Sequence, residues 1–319
     1  MVLISTNILS SEIINYGGEI FDIASDARQS GMGNSGIGDN HGIASIFSNP
    51  SSLVNIEYGT MLFSHNHQFG GIVLLDLYAF QLKKMKSSSI SIGIIRRGVD
   101  NIDNTQDALA YWENGVPYLD YDNITEYSHK EISMLIAYAK ILKNNWKVGL
   151  LVKPMYVSIS DYYGMGIGFD IGVKKDLSDN LSVGVLIRDF TTSPLFWNTN
   201  NIDVVLPTLE VGITKYLPNI ILSSDISINM YSLEYFNDLI ERIDYNLGCE
   251  YVWNNIVSFR IGHSNLSQLT AGVGLEIENV NFDYAFISSP VKSIFEPSHQ
   301  FSIKMDLESL MKLEEIIKP

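Results

Sequence analysis

From residue 57 to residue 307, apolar and polar side chains alternate. In "GMGIGFDIGV" (164–173), Met165, Ile167, Phe169, Ile171 and Val173 fall on one face. Gly164, Gly166, Gly168, Asp170 and Gly172 fall on the other. "QLTAGVGLEI" (268–277) and "RIDYNLGCEYVW" (242–253) repeat the pattern. A period of two over eight to eleven residues is the signature of a strand with one apolar and one polar face. From 57–66 to 299–307, fourteen such segments are predicted, most with roughly the 9–11 residues that a tilted strand needs to cross a bilayer.

The connections sharpen the picture. Tight turns follow the even-numbered segments, at 84–87, 143–145, 176–179, 218–219, 254–255 and 278–279. Long connections follow odd-numbered ones, at 98–129, 190–205, 229–241 and 289–297. In an up-and-down meander, alternate connections lie at the same end. Short turns at one end and long loops at the other are the asymmetry of outer-membrane barrels. A soluble antiparallel barrel or sandwich would also alternate, but its second face would have to pack a core. Here that face is Gly, Ser, Asn, Asp and Glu. The apolar face is therefore expected to meet lipid and the polar face to line a lumen. Tyr58, Tyr138, Trp146, Tyr156, Tyr162, Tyr163, Tyr216, Tyr251 and Trp253 stand near strand ends, as in interfacial aromatic girdles. The expected fold is all-β: a 14-stranded antiparallel transmembrane β-barrel with an N-terminal segment plugging the lumen and a short C-terminal helix.

Composition agrees. The 319 residues are 46% hydrophobic and only 18% charged, with 24 Gly and 17 Tyr. The net charge of −15 argues against nucleic acid as a partner, because phosphate contacts need clustered Lys and Arg. A single Cys249 rules out an internal disulfide and a Cys-based metal cluster. No window holds the roughly 18 uninterrupted apolar residues of a membrane helix.

Before the alternation begins, "DARQSGMGNSGIGDNHGIASIFSNPSSL" (26–53) carries five glycines and an Asn49-Pro50 step, with no periodic face. Gly31, Gly33 and Gly36 mimic a phosphate-binding GxGxxG, but no strand precedes them and no helix pattern follows. Instead, Ala27-Arg28, then Gly31-Met32-Gly33, then Asn49-Pro50 with Leu53 resemble the N-terminal signature of PorV/PorQ-type outer-membrane proteins, relatives of the FadL long-chain fatty acid transporters. "IRRGVDNIDNT" (95–105) and "IRDFTTSPLFWNTNNIDVVLPTLEVGI" (187–213) resemble the same family, so the likeness spans about 19–306. It implies a fourteen-stranded barrel in the bacterial outer membrane with an N-terminal segment inside, no enzymatic activity and no cofactor. The organisation expected is a leader at 1–18, a lumen segment at 19–56, the barrel at 57–307 and a periplasmic tail at 308–319. Arg28, Gly31, Met32, Gly33, Asn49 and Pro50 are the candidate plug motif. In the tail, Leu307, Leu310, Met311, Leu313, Ile316 and Ile317 recur at helical spacing.

Other chemistry is sparse. Lys153, Arg188, Glu210, Asp225 and Glu250 fall on the predicted lumen face, where mutual pairing is the plain reading. His65 and His67 share a strand face, but no third metal ligand joins them. Asp100, Asp103 and Asp107 open an acidic external loop whose spacing matches no calcium-binding EF-hand. No metal site is expected.

Two functions stay open, beside a structural barrel with no transport. Through the family resemblance, the first is a non-enzymatic component or partner of a type IX-like secretion system, contacting a large translocon barrel and secreted cargo. The second is a FadL-like transporter of hydrophobic small molecules. The resemblance favours the first; an apolar lumen pocket would favour the second.

Overall fold

The computed structural model describes residues 25–113, 116–229, 243–264, 268–289 and 293–307. The expected leader and the tail helix lie outside these residues. Fourteen antiparallel strands close into a barrel, as the alternation predicts. They begin with β1 (Met61–Gln68), β2 (Val73–Lys84) and β3 (Ser88–Asn104). A small external hairpin, β4 (Leu109–Glu113) and β5 (Val116–Leu119), follows. The wall resumes with β6 (Thr125–Ile141), β7 (Trp146–Ile159), β8 (Tyr162–Ser178) and β9 (Leu181–Arg188). Two short strands outside the fourteen, β10 (Ser193–Trp197) and β11 (Ile202–Val205), precede the wall strands β12 (Thr208–Tyr216) and β13 (Ile220–Asn229). The last five are β14 (Ile243–Trp253), β15 (Val257–Ser264), β16 (Gln268–Ile277), β17 (Val280–Ile287) and β18 (Ser298–Met305). Closure is by β1 on β18, in register from Met61↔Met305 to His67↔His299.

Two predicted loops contain strand. The 98–129 connection shrinks because β3 and β6 pair out to Asn104↔Thr125, past a bulge near Asn101. These extensions carry polar residues on both faces, which hides their period. The 190–205 connection contains β10 and β11. β10 pairs with β8 (Leu195↔Gly166), and β11 pairs with β10 and leads into β12. The left-handed residues Asp189 and Thr192 break the alternation between β9 and β10, and Pro207 breaks it before β12.

The barrel is uneven. β3, β6 and β8 run 17 residues, whereas β1, β15, β17 and β18 run 8. Its outside is an apolar band: Met165, Ile167, Tyr245, Leu247 and Val273 are all exposed. Tyr58, Trp146 and Trp253 flank that band at the short-turn end, and Tyr156, Tyr162 and Tyr163 at the other. Tyr216 is no girdle residue. It shares parity with Gly212 and turns inward, donating its hydroxyl to Asp39.

The inside is not uniformly polar, contrary to the expectation. On the tall side, Leu75, Leu77, Ile95, Leu135, Leu151 and Met155 are buried lumen residues. The reason is visible in β2, "VLLDLYAF", which is apolar on both faces. On the short side the lumen is polar, with Ser64, Asn66, Gln300, Ser302 and Thr270.

Candidate functional site

The site is the lumen together with the segment that enters it. Asp26 caps helix α1 (Ala27–Gly31), its carboxylate accepting from the Gln29 amide at 2.9 Å. The helix seats on β15–β18. The Ala27 amide donates to Ser302 Oγ at 2.8 Å, and Ser30 Oγ to Gln300 Oε1 at 2.6 Å. Thr270 Oγ1 receives the Gly33 amide and donates to the Gly31 carbonyl, both at 3.0 Å. The chain then crosses the lumen. Asp225 on β13 accepts the amides of Gly36 (2.5 Å) and Ile37 (3.0 Å).

A belt of wall glycines lets this backbone approach. Gly31 lies on Gly272, Met32 on Gly248 and Gly262, Ile37 on Gly184 and Gly212, and Pro50 on Gly149 and Gly172. A side chain on these inward faces would occupy space the segment fills. Gly33 itself has φ +67 against the His263 backbone, a conformation that glycine adopts freely.

Asn49 fastens the segment to itself. Its Oδ1 accepts from the Ser51 amide (3.1 Å) and hydroxyl (2.7 Å), and its Nδ2 donates to the Ile37 carbonyl at 3.0 Å. Extended at φ −108 and ψ 104, as a residue before proline tends to be, it leads into a 3₁₀ helix (Pro50–Asn55) with Pro50 in its first turn.

Asp39 is the electrostatic hub, and nothing in the sequence singles it out. Arg28 Nη1 lies 3.0 Å from its Oδ2, the Tyr216 hydroxyl 2.7 Å from its Oδ1, and Lys174 Nζ donates to its carbonyl at 2.7 Å. Burial alone would raise the Asp39 carboxyl; Arg28 together with the Tyr216 hydroxyl, the Asn40 amide and the group's other neighbours outweighs it and holds the group well below the usual carboxylate range. Burial opposes the charge on Arg28, but Glu250 and Asp39 overcome it and keep the guanidinium firmly protonated. Arg28 Nε also meets Glu250 Oε2 at 2.8 Å. Glu250 in turn pairs with Arg260 (2.7 Å), and Arg260 with Asp283 (2.7 Å). One ion network thus joins the segment to β14, β15 and β17.

The remaining candidates fall elsewhere. Lys153 is 1% exposed and lies 2.7 Å from Asp170 and 3.0 Å from Asp189. Arg188 pairs with Glu210 inside the lumen and donates from Nη1 to the Phe47 carbonyl at 3.4 Å. Asp103 and Asp107 are exposed, and Asp100 lies 4.0 Å from Lys130. His65 and His67 meet edge-to-face on the outer face, ring centroids 4.8 Å apart, and His65 meets Asp76 at 2.6 Å. Among the described residues, no group of three or more His, Cys, Asp or Glu converges as metal ligands.

The apolar strip is the part that the sequence reading missed. Ile43, Ile46, Phe47 and Leu53 of the segment pack on Leu75, Leu77, Ile95 and Leu135, and the strip continues past Leu151 and Met155 to Leu195 and Trp197. Its sequence signal is the loss of polar partners in β2 and β7.

No protein-family model matches the chain, and no curated protein matches it in sequence. Solved barrels match it in shape. The toluene transporter TbuX of Ralstonia pickettii superposes with a TM-score of 0.63 at 14% identity, covering 90% of this chain and 99% of that one. The toluene transporter TodX of Pseudomonas putida gives 0.62 at 12%, over 92% and 98%. A FadL homologue of Pseudomonas aeruginosa gives 0.54 at 9%, over 88% and 98%. The chain has the FadL-type barrel fold, and at these identities the likeness is one of fold.

Proposed function

We propose that this chain is a non-enzymatic bacterial outer-membrane channel for hydrophobic small molecules, its short-turn end facing the periplasm and closed by residues 26–53. The apolar strip inside the lumen carries this reading. A water-filled pore lined by polar groups offers an apolar solute nothing over bulk water. A strip from Leu195 and Met155 down to Phe47 and Ile46 offers burial at about 25 cal/mol per Å² of apolar surface. The toluene transporters that share the fold support the same class of cargo.

The plug role of Arg28, Gly31, Met32, Gly33, Asn49 and Pro50 is part of this proposal, supported by the ion pair of half-buried Arg28 with Glu250 and by the burial and wall contacts of the other five. The secretion-partner role, and the finer PorV/PorQ assignment, rest on the motif resemblance alone; no feature of the lumen favours them.

The test is uptake of radiolabelled toluene by cells lacking other hydrophobic channels. Expression of this chain should speed uptake, and Leu135→Asp, inside the strip, should abolish the gain while the barrel still folds. Uptake equal to that of cells without the protein would reject the channel.

A further inference from the structure

On the lumen face of β1, Asn66 and Gln68 are 5% and 8% exposed. The orientation of the Asn66 amide follows from its neighbours. Gln300 Nε2 donates to the Ser25 carbonyl (2.5 Å) and to Ser64 Oγ (2.9 Å), so Gln300 Oε1 is the acceptor. It receives Ser30 Oγ at 2.6 Å and Asn66 Nδ2 at 3.2 Å. Asn66 therefore turns its nitrogen to Gln300, and its carbonyl oxygen is left buried without a donor among the described residues. Two residues on, the Gln68 carbonyl oxygen is likewise buried without a donor among the described residues. Leaving a buried acceptor unmade costs about 1–3 kcal/mol, and two in a row on one face offer a place for a donor beyond the described residues.

Register places these acceptors at the edge of the apolar strip. Asn66 is opposite Leu75, and Gln68 opposite Val73, both buried. Four lumen cations are already engaged: Arg97 with Glu131, Lys153 with Asp170 and Asp189, Arg188 with Glu210, and Arg260 with Glu250 and Asp283. A carboxylate would face carbonyl oxygens and find each of these four cations paired. An ammonium would lose its water to two neutral carbonyls, without the opposite charge that burial demands. A bare hydrocarbon would leave both carbonyls unmade.

We propose that the cargo is a neutral amphiphile, an apolar body bearing a hydroxyl whose single proton is shared, as a three-centre hydrogen bond, between the side-chain carbonyls of Asn66 and Gln68. This rests on the channel reading and names its substrate class.

The test is equilibrium dialysis of labelled toluene, benzyl alcohol, benzoate and benzylamine against the full chain in lipid nanodiscs, with binding to empty discs subtracted. Benzyl alcohol should bind about five- to tenfold more tightly than toluene, the gain of one hydrogen bond. Benzoate and benzylamine should bind more weakly than the alcohol. Asn66→Leu and Gln68→Leu should each bring benzyl alcohol toward the toluene value and leave toluene unchanged. Asn66 also holds Gln300, so Gln68→Leu, which breaks no side-chain hydrogen bond among the described residues, guards against a folding defect. Equal affinity for alcohol and toluene, alcohol binding unmoved in both variants, or an ion bound as tightly as the alcohol would overturn the assignment while leaving the channel standing. Retention of neither toluene nor benzyl alcohol would remove the channel and the substrate class together.

Discussion

The guanidinium of Arg28 donates to Nδ1 of His41 inside the barrel. Arginine has no acceptor, so Nδ1 carries no proton and the buried ring is neutral, with its hydrogen on Nε2. Burial holds the imidazole down to about 3; Asp39, 3.6 Å away, pulls the other way, and Arg28 adds to the depression.

That charge state gives the lumen segment a pH dependence. The exposed imidazole, with its ordinary pKa near 6.5, binds a proton that the docked ring refuses. The His41 contribution to docking is therefore fully present above about pH 6.5 and is lost as pH falls toward about 3, by at most about 1.4 kcal/mol per pH unit. Asp39 adds no slope between about pH 6.5 and pH 5. Its lowered carboxyl contributes fully above the unfolded value, near 4, and loses its contribution only below it. Hydrogen exchange of residues 31–53, corrected for intrinsic rates, should show protection falling from pH 7 to pH 5. His41→Gln should flatten the fall, and an identical slope in that variant would contradict the neutral ring.

The glycine belt makes a sharper demand. A Cβ on Gly184 would overlap the Ile37 carbonyl and sit 3.0 Å from Asn49 Nδ2, although its own backbone would accept a side chain. Gly184→Val should displace the segment without opening the barrel. Single-channel conductance in a planar bilayer should rise, as it should on deleting residues 26–50, while heat-modifiable migration in gels persists. Gly98→Ala, whose nearest neighbour is 3.5 Å away, should leave conductance unchanged.

The outer face can be tested by depth. Ile167, 42% exposed in mid-strand, should cost roughly 2–4 kcal/mol when replaced by Lys, and Leu217, at a short turn, about 0–1 kcal/mol. Equal costs in lipid-refolding titrations would contradict the lipid-facing band. Gly166 is no neutral comparator: a side chain there would meet the Pro194 carbonyl at 2.5 Å.

Legibility followed the strength of each physical constraint. Lipid asks only for apolarity, so the alternation of Met165, Ile167 and Phe169 reads directly as a wall. Asn49-Pro50 reads as an extended step because proline restricts the residue before it. β10 and β11 stay hidden because Asp189, Thr192 and Pro207 interrupt the period. The Asp39 hub stays hidden because its partners come from α1, β8 and β12, and no local pattern marks a residue whose role is assembled by closure. The apolar lumen strip stays hidden because Leu75 and Leu77 look like outward residues until the parity of Tyr78 is known.

The last prediction concerns the break between β9 and β10. Lys153 reaches from β7 across Gly168, where a side chain would strike Asp189 Oδ1 at 2.5 Å, and meets the Asp189 carboxylate beside Asp170. Ser193 Oγ, at 2.5 Å, and the Asp189 amide, which donates to Asp170 Oδ1 at 2.8 Å, complete the cluster. The lysine thus ties the irregular 189–192 stretch to the wall. Lys153→Met would leave two carboxylates buried without their cation, a loss of about 3–5 kcal/mol for a broken buried pair. Removing one carboxylate as well relieves part of that penalty. Lys153→Met with Asp189→Asn should therefore lose clearly less stability than the sum of the two single changes, a coupling of about 0.5–3 kcal/mol. Urea midpoints of the folded barrel, read by gel mobility, give all three values. Strict additivity would mean that the three side chains do not act as a unit, and that the break is held by backbone pairing alone.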